Sequence, residues 1–146
     1  MSQQDLHTIV YPGTANQVAG MGLNFVSIST NSVHTGNTIN TVGFEALEML
    51  FVATSYTDGT FTLSFQDSPD GTNWTAVPAQ FTLGLSSTQI ITAANAPTWI
   101  GYIGKKQYVR LVVTSTNVTT GATVGAIALN AFPHFAPTDP NFVPAD

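Results

Sequence analysis

The sequence contains no cysteine in its 146 residues, which excludes disulfides, thiolate nucleophiles and cysteine-ligated zinc sites. Charge is also scarce: charged residues make up 8% of the chain, against about 25% in a typical soluble domain. Three basic residues against eight acidic ones give a net charge of −5. This balance argues against nucleic-acid binding, which needs a basic surface to displace counterions from phosphates.

Long hydrophobic runs and targeting signals are missing as well. The most apolar stretch, Ala46–Ala53, is interrupted by Glu48 and is far shorter than the roughly 20 residues of a membrane helix. Met1–Asp5 has no basic residue and no apolar stretch follows it, so we expect no secretory signal. The sequence therefore predicts a protein with no membrane partner that is made in the cytoplasm.

The residues that are present are typical of β-structure. Thr, Val, Ile and Phe are abundant, whereas the residues that usually fill helix surfaces are few. Apolar and polar residues alternate in Phe61–Gln66, and Val109, Leu111 and Val113 share one face of Tyr108–Thr114. Further strands are predicted over Gly22–Thr30, Val33–Val42 (broken by Gly36), Phe44–Ser55, Trp74–Val77, Gln80–Leu83, Gln89–Ala93, Thr98–Ile103 and Ala122–Ala131. We therefore predict an all-β fold, a single antiparallel β-sandwich that is either immunoglobulin-like or jelly-roll.

Two turn signals lie in the middle of the chain. Asp58 and Gly59 separate Phe44–Ser55 from Phe61–Gln66, and this dipeptide predicts a tight β-hairpin between those strands. Asp67–Trp74 contains proline and glycine at turn positions and predicts a second turn.

The two ends of the chain differ from its middle. Four of the eight prolines follow residue 132, and Phe132, Phe135 and Phe142 lie before or between them. Proline at this density removes donors from a sheet ladder, so we predict an extended arm there, with a disordered tail as the alternative. The segment around Tyr11 is predicted to be a similar arm. The predicted organisation is an N-terminal arm over 1–21, the β-sandwich domain over 22–131 and a Pro-rich C-terminal arm over 132–146.

No group of residues indicates catalysis, a metal or a cofactor. On a strand, Glu45 and Glu48 fall on opposite faces, so they do not form a carboxylate pair. Asp67, Asp70 and Asn73 resemble a calcium loop in composition but not in spacing, and the same residues are favoured in tight turns. The histidines are isolated, at positions His7, His34 and His134. We expect a protein that is not an enzyme and that needs no cofactor.

The three basic residues lie close together in the sequence. Lys105, Lys106 and Arg110 carry the entire positive charge within six positions. Two interpretations remain open: local ion pairs with the acidic turns, or a small positive patch that orients the protein against an acidic partner.

The two tryptophans also allow two interpretations. A core position is favoured for both Trp74 and Trp99, because burial of a large aromatic side chain is strongly stabilising. The alternative is that they are stacking platforms for sugar rings.

Several longer motifs show a resemblance to a known group. They are the paired Asp-Gly-Thr turns within Tyr56–Val77, the Tyr-Ile-Gly-Lys-Lys-Gln-Tyr-Val-Arg run within Gly101–Val113, and Pro-His-Phe-Ala-Pro within Gly125–Pro137. Together with Phe44–Met49, these segments resemble small virion proteins of tailed bacteriophages, commonly encoded near the major capsid protein. The resemblance covers roughly residues 40–137.

The resemblance implies a capsid decoration, or cement, protein. Such a protein is a non-enzymatic β-domain that binds the major capsid protein on the outside of the head and stabilises the shell across capsomer boundaries. We expect it on the virion exterior as a dimer or trimer. The expected partner-binding residues are the apolar Tyr11, Phe132, Phe135 and Phe142 and the basic Lys105, Lys106 and Arg110. The alternatives are a carbohydrate-binding or host-adhesion module of the virion, and a tail or head-completion structural protein.

Overall fold

The strands fill most of the chain that the structure describes. A computed structural model describes residues 20–84, 89–92 and 97–133. In these ranges a short 3-10 helix covers Ala79–Phe81. The strands are β1 (Met21–Ile28), β2 (Ser32–Thr35), β3 (Ile39–Asn40), β4 (Phe44–Tyr56), β5 (Thr60–Ser68), β6 (Thr75–Ala76), β7 (Thr82–Leu83), β8 (Gln89–Ile91), β9 (Thr98–Tyr102), β10 (Tyr108–Thr116) and β11 (Ala122–Pro133).

Two antiparallel sheets pack face to face, which confirms the predicted β-sandwich. The first, sheet A, has the strand order β1-β11-β4-β9-β7. The second, sheet B, has the order β2-β10-β5-β6, with β3 also paired to β10 and β8 to β5. Strands that are far apart in the sequence are therefore neighbours in both sheets.

The core lies between the two sheets and follows the predicted alternation. Phe61, Leu63 and Phe65 on β5 are buried, as are the alternate residues of β10 that start at Val109. Leu111 is directly opposite Phe65 in the ladder, so the two strands present one continuous apolar surface. Sheet A contributes Leu47, Met49, Phe51 and Ala53 of β4 and Val124, Ala126 and Ala128 of β11. Full burial of each large apolar side chain contributes about 1.5–3 kcal/mol.

The predicted hairpin between β4 and β5 is wrong. β4 pairs with β11 and β9 in sheet A, whereas β5 pairs with β10, β6 and β8 in sheet B. The Asp58 turn therefore crosses between the sheets. Its carboxylate accepts hydrogen bonds from the backbone N–H groups of Thr119, Thr120 and Gly121, in the connection from β10 to β11. The second predicted turn does join paired strands, because Asp67 on β5 is opposite Thr75 on β6.

The break predicted at Gly36 is confirmed and has a steric cause. The Gly36 N–H donates to the carbonyl of Leu111, and the next N–H, of Asn37, donates to the carbonyl of Gly22. A Cβ atom at Gly36 would overlap that Gly22 carbonyl oxygen. The chain here passes too close to β1 for any side chain, so β2 ends at Thr35.

The sandwich continues slightly beyond its predicted C-terminal boundary. β11 includes residues 132 and 133, and Pro133 is opposite Phe44. Proline removes one donor from the ladder, and at the last residue of the strand that loss is confined to the end of the ladder. The predicted arms otherwise fall at 1–19 and 134–146, outside the described residues.

Candidate functional site

The outer face of sheet A is apolar across all five of its strands. In β4, Leu47, Met49 and Phe51 point into the core, and the residues between them point outward. Those outward residues are also largely apolar, which is typical of a strand that is covered on both sides. We call the following outward side chains the apolar face: Phe25, Leu50, Val52, Leu83, Trp99, Ile127 and Leu129.

The strand register brings these side chains into contact distance. Leu50 on β4 is opposite Ile127 on β11 and Trp99 on β9. Directly opposite residues in an antiparallel pair have Cβ atoms about 4.5–5.5 Å apart. Trp99 is 52% exposed and Ile127 is 40% exposed. No described residue covers this row.

Phe25 extends the apolar face to the β1 edge. Its ring lies above Gly125 of β11, where an added Cβ would be 2.8 Å from the Phe25 Cδ1 atom. The absence of a side chain at Gly125 therefore lets the ring pack directly against the sheet. The ring remains 53% exposed on its other side.

Glu48 is the charged side chain within the apolar face. It is opposite Leu129 on one side and Gly101 on the other, and Gly101 is opposite Leu83. Burial among these neighbours raises the pKa of Glu48. Glu45 is the other charged residue of sheet A, and the alternation of β4 places it on the opposite side of the strand, as predicted.

A groove opens beside the apolar face, at the end of the sandwich where β4 begins and β9 ends. Its volume is about 820 Å³. We call it the end groove; it is lined by Val42, Phe44, Ala46, Leu83, Ile103 and Lys105, with Thr41, Gly43, Glu45, Gly104, Lys106 and Gln107. The groove was not predictable from the sequence, because its walls come from three separate parts of the chain.

Below the end groove, a polar network closes the space between the sheets. Asp67 is buried and accepts hydrogen bonds from Lys106 Nζ (2.7 Å), from the Tyr102 hydroxyl (3.0 Å) and from Thr75 Oγ1 (3.0 Å). Burial, together with the adjacent carboxylate, raises the pKa of Tyr102. This network uses Lys106 as a local ion pair with an acidic turn, one of the two interpretations of the basic residues.

The carboxylate of Asp70 is likewise hydrogen-bonded within its own turn. Its carboxylate accepts hydrogen bonds from the backbone N–H groups of Asn73 and Thr72, from the Asn73 side chain and from the Ser68 hydroxyl. These bonds lower the pKa of Asp70. The described residues contain no group of three His, Cys, Asp or Glu side chains that could hold a metal ion.

The basic residues have three different environments. Arg110 lies over the ring of Trp74, with its guanidinium carbon 4.0 Å from the ring centre, and it also donates to Gln66 Oε1. Burial lowers the pKa of Arg110. Lys105 is exposed at the end groove. Only Lys105 is therefore presented to solvent without a described partner that fixes its charge.

Neither tryptophan is in the core, so the favoured interpretation of these residues is wrong. Trp99 points outward from β9, where the inward positions are taken by Ile100 and Tyr102. Trp74 is half-buried at the surface of sheet B below Arg110. The alternation along β9 contained the signal for Trp99, because Ile100 and Tyr102 share the other face.

The remaining predicted partner-binding residues are not brought into this site. Tyr11, Phe135 and Phe142 lie outside the described residues, and the backbone of Phe132 belongs to β11. Their roles as anchors remain predictions.

Comparisons with known proteins add no family to this picture. No protein-family model matches the chain, and no curated protein sequence matches it significantly. Among the described residues, no helix has the length and apolar character needed to cross a membrane.

Proposed function

We propose that this chain is a non-enzymatic capsid decoration protein of a tailed bacteriophage, which binds the outside of the head through the apolar face. Its partner is the major capsid protein, and it acts on the virion as a dimer or trimer. The observation that carries the proposal is the apolar face of sheet A, which no described residue covers. A contiguous exposed apolar patch of this kind marks a protein interaction site more often than a solvated surface.

Two further features support this proposal. The motifs described above resemble those of small phage virion proteins. The low charge of the chain, at 8% of its residues, also suits a protein held against another surface, because charged groups are costly to desolvate. Repetition of a modest contact around a symmetric shell would add avidity to each individual contact.

Mechanically, decoration requires only that each copy buries surface across a boundary between capsid subunits. A contact of about 800 Å² on each partner is enough for specific binding. The row formed by Ile127, Leu50 and Trp99 provides the centre of such a contact. A few central side chains, with tryptophan prominent among them, contribute most of the binding energy of an interface.

The test is binding to undecorated heads of the phage that encodes the chain. Purified protein is mixed with the heads, and both co-sedimentation and the thermal stability of the shell are measured. We expect saturable co-sedimentation and a raised shell melting temperature. Ile127→Asp places a charge in the apolar face and should weaken binding by roughly tenfold or more.

Val33→Asp is the matched control for that variant. Val33 is 64% exposed on β2, in the other sheet, so an aspartate there leaves the apolar face unchanged. Equal binding by the two variants would show that the interface does not include the apolar face of sheet A. Failure of the unmodified protein to bind heads, with binding to tails instead, would favour a tail or head-completion role.

A carbohydrate-binding role is the second candidate, and the exposure of Trp99 favours it. An exposed indole on a flat sheet can stack against a sugar ring. Titration of glycans while tryptophan fluorescence is followed tests this role. Saturable quenching that is lost in Trp99→Ala, but kept in Trp74→Ala, would support it over decoration alone.

A further inference from the structure

We propose that the end groove binds residues 134–146 of the same chain, with the Phe135 side chain inserted between Val42, Ala46 and Ile103. The groove is large enough for several side chains, and its walls are mainly apolar. Val42 is 60% exposed and Ile103 is 40% exposed, so these walls present apolar surface to whatever enters. An occupant of matching chemistry is expected for such a surface.

The path of the chain brings this segment to the groove. Pro133, the last described residue, is opposite Phe44, which lines the groove. Phe135 follows two residues later, which is about 7 Å of extended chain. Neighbouring strands are about 4.8 Å apart, so a chain that leaves β11 can cross β4 within that length. The Phe135 side chain would then span the remaining distance to Ile103, which follows β9.

The composition of the segment fits the groove. Phe135, Phe142 and Val143 supply apolar side chains, and the negative charge of Asp139 complements the positive charge of Lys105 at the groove. The prolines at 137, 140 and 144 favour an extended backbone, which reduces the entropy lost on docking.

Because residues 134–146 are covalently attached to the domain, they occupy the groove more fully than a free peptide of the same intrinsic affinity would. A short flexible connection gives the segment an effective concentration on the order of millimolar at the groove. A site with only weak intrinsic affinity is therefore filled by its own chain before a second copy or a small molecule. Phe135 then serves an internal contact, in place of the capsid contact that the sequence predicted for it.

The absence of native cysteines permits a direct test. In the full chain, Ile103→Cys is combined with Phe135→Cys, and disulfide formation under mild oxidation is followed by non-reducing electrophoresis and peptide mass mapping. We expect an intramolecular disulfide, since docking would bring the two Cα atoms to about 4.4–6.8 Å. The control pair is Val33→Cys with Phe135→Cys, which should react at least roughly tenfold more slowly.

Three outcomes overturn the proposal. They are equal rates for the two pairs, no disulfide in the Ile103 pair, and a disulfide that joins two chains. The last outcome would identify a second copy as the occupant.

A second measurement uses a variant in which no residue of the groove wall is substituted. Phe135→Ala in methyl-labelled protein should shift the NMR signals of the Ile103 and Leu83 methyl groups, because a nearby aromatic ring is lost. The signal of Ile90, which is exposed on sheet B, should stay in place. Unchanged Ile103 signals overturn the proposal. Neither measurement involves phage heads, so its failure is distinct from failure of the proposed function.

Discussion

Lys106 reaches into the end of the sandwich to pair with Asp67, with 2.7 Å between Nζ and Oδ1. The carboxylate side chain is 5% exposed and the lysine 39% exposed. Loss of the lysine would leave a buried carboxylate with two neutral donors, the Tyr102 hydroxyl and Thr75. The main cost of breaking the pair is therefore the uncompensated charge of the buried Asp67, and not the loss of the partly exposed Lys106 charge.

This pair predicts different effects for two adjacent lysines. Lys106→Met should lower the free energy of unfolding by about 2 kcal/mol, less than for a fully buried pair because the lysine is partly solvated. Lys105→Met, at the exposed neighbouring position, should change it by less than about 0.5 kcal/mol. Urea denaturation of both variants measures the difference. Equal values would show that the Asp67 pair is not stabilising.

Tyr102 predicts a loss of stability at alkaline pH. Its pKa is raised above the ordinary value of 10.0 in the folded protein, mainly by burial. The folded state thus keeps its proton while the unfolded state loses it, so stability is constant below pH 10 and falls as pH rises beyond it. Urea denaturation between pH 8 and 11 should show this fall.

Tyr102→Phe is the control for the alkaline effect. It should cost about 1 kcal/mol at neutral pH through the lost hydrogen bond to Asp67, and it should reduce the decline above pH 10. A decline of the same size in the variant would show that ionisation of Tyr102 is not its cause.

Asp70 and Asp58 predict a loss of stability in acid. Backbone N–H donors lower the pKa of both carboxyls, led by Asn73 for Asp70 and by Thr119 for Asp58. Their contribution is present above the ordinary aspartate pKa of 3.8 and is lost as pH falls below it, because the unfolded chain takes up protons first.

The measurement is thermal unfolding between pH 2 and 6. Asp70→Asn should lower the melting temperature at pH 6 and flatten its fall in acid. Asp58→Asn should do the same. It should also weaken the contact between the β4–β5 connection, which contains Asp58, and the β10–β11 connection. An unchanged acid profile in both variants would show that other carboxyls govern acid unfolding.

Glu48 predicts that binding through the apolar face depends on pH. Its pKa is already raised by burial, and an apolar partner surface would bury it further. The bound state then holds the proton more tightly, so binding to heads should strengthen as pH falls through the pKa of Glu48. Glu48→Gln should bind more tightly at neutral pH and show little pH dependence. Binding that weakens in the glutamine variant would indicate a basic group on the partner that pairs with Glu48.

The strands were predictable from the sequence, but their pairing was not. The alternation of Phe61, Leu63 and Phe65 indicates that one face of the strand is buried. It does not indicate which other strand of the chain pairs with this one. The Asp58 turn signal thus identified a turn without revealing that it crosses between sheets. The partner of Asp58, around Gly121, is too distant in sequence for local turn chemistry to reveal it.

The apolar face and the end groove were hidden for a related reason. The near-continuous apolar run of β4 is ambiguous in isolation, because a strand buried on both faces and a strand with one uncovered face have the same sequence pattern. The alternation along β9 separates Trp99 from Ile100 and Tyr102, but only the pairing of β9 with β4 shows that the side chain of Trp99 belongs to the apolar face. The groove requires Val42, Leu83 and Ile103 to meet, and none of these residues is close to the others in the sequence.

The Asp58 carboxylate accepts hydrogen bonds from backbone groups that lie 61 to 63 residues further along the chain. It thereby ties the connection between β4 and β5 to the connection between β10 and β11, and both connections pass from one sheet to the other. Bringing such distant segments together costs loop-closure entropy before the contacts between them are gained. Neither sheet can then be completed as a local meander, and the two are expected to appear together in one cooperative step. Such a topology typically acquires its native state in milliseconds to seconds, slowly enough for the unfinished apolar strands to meet other chains first.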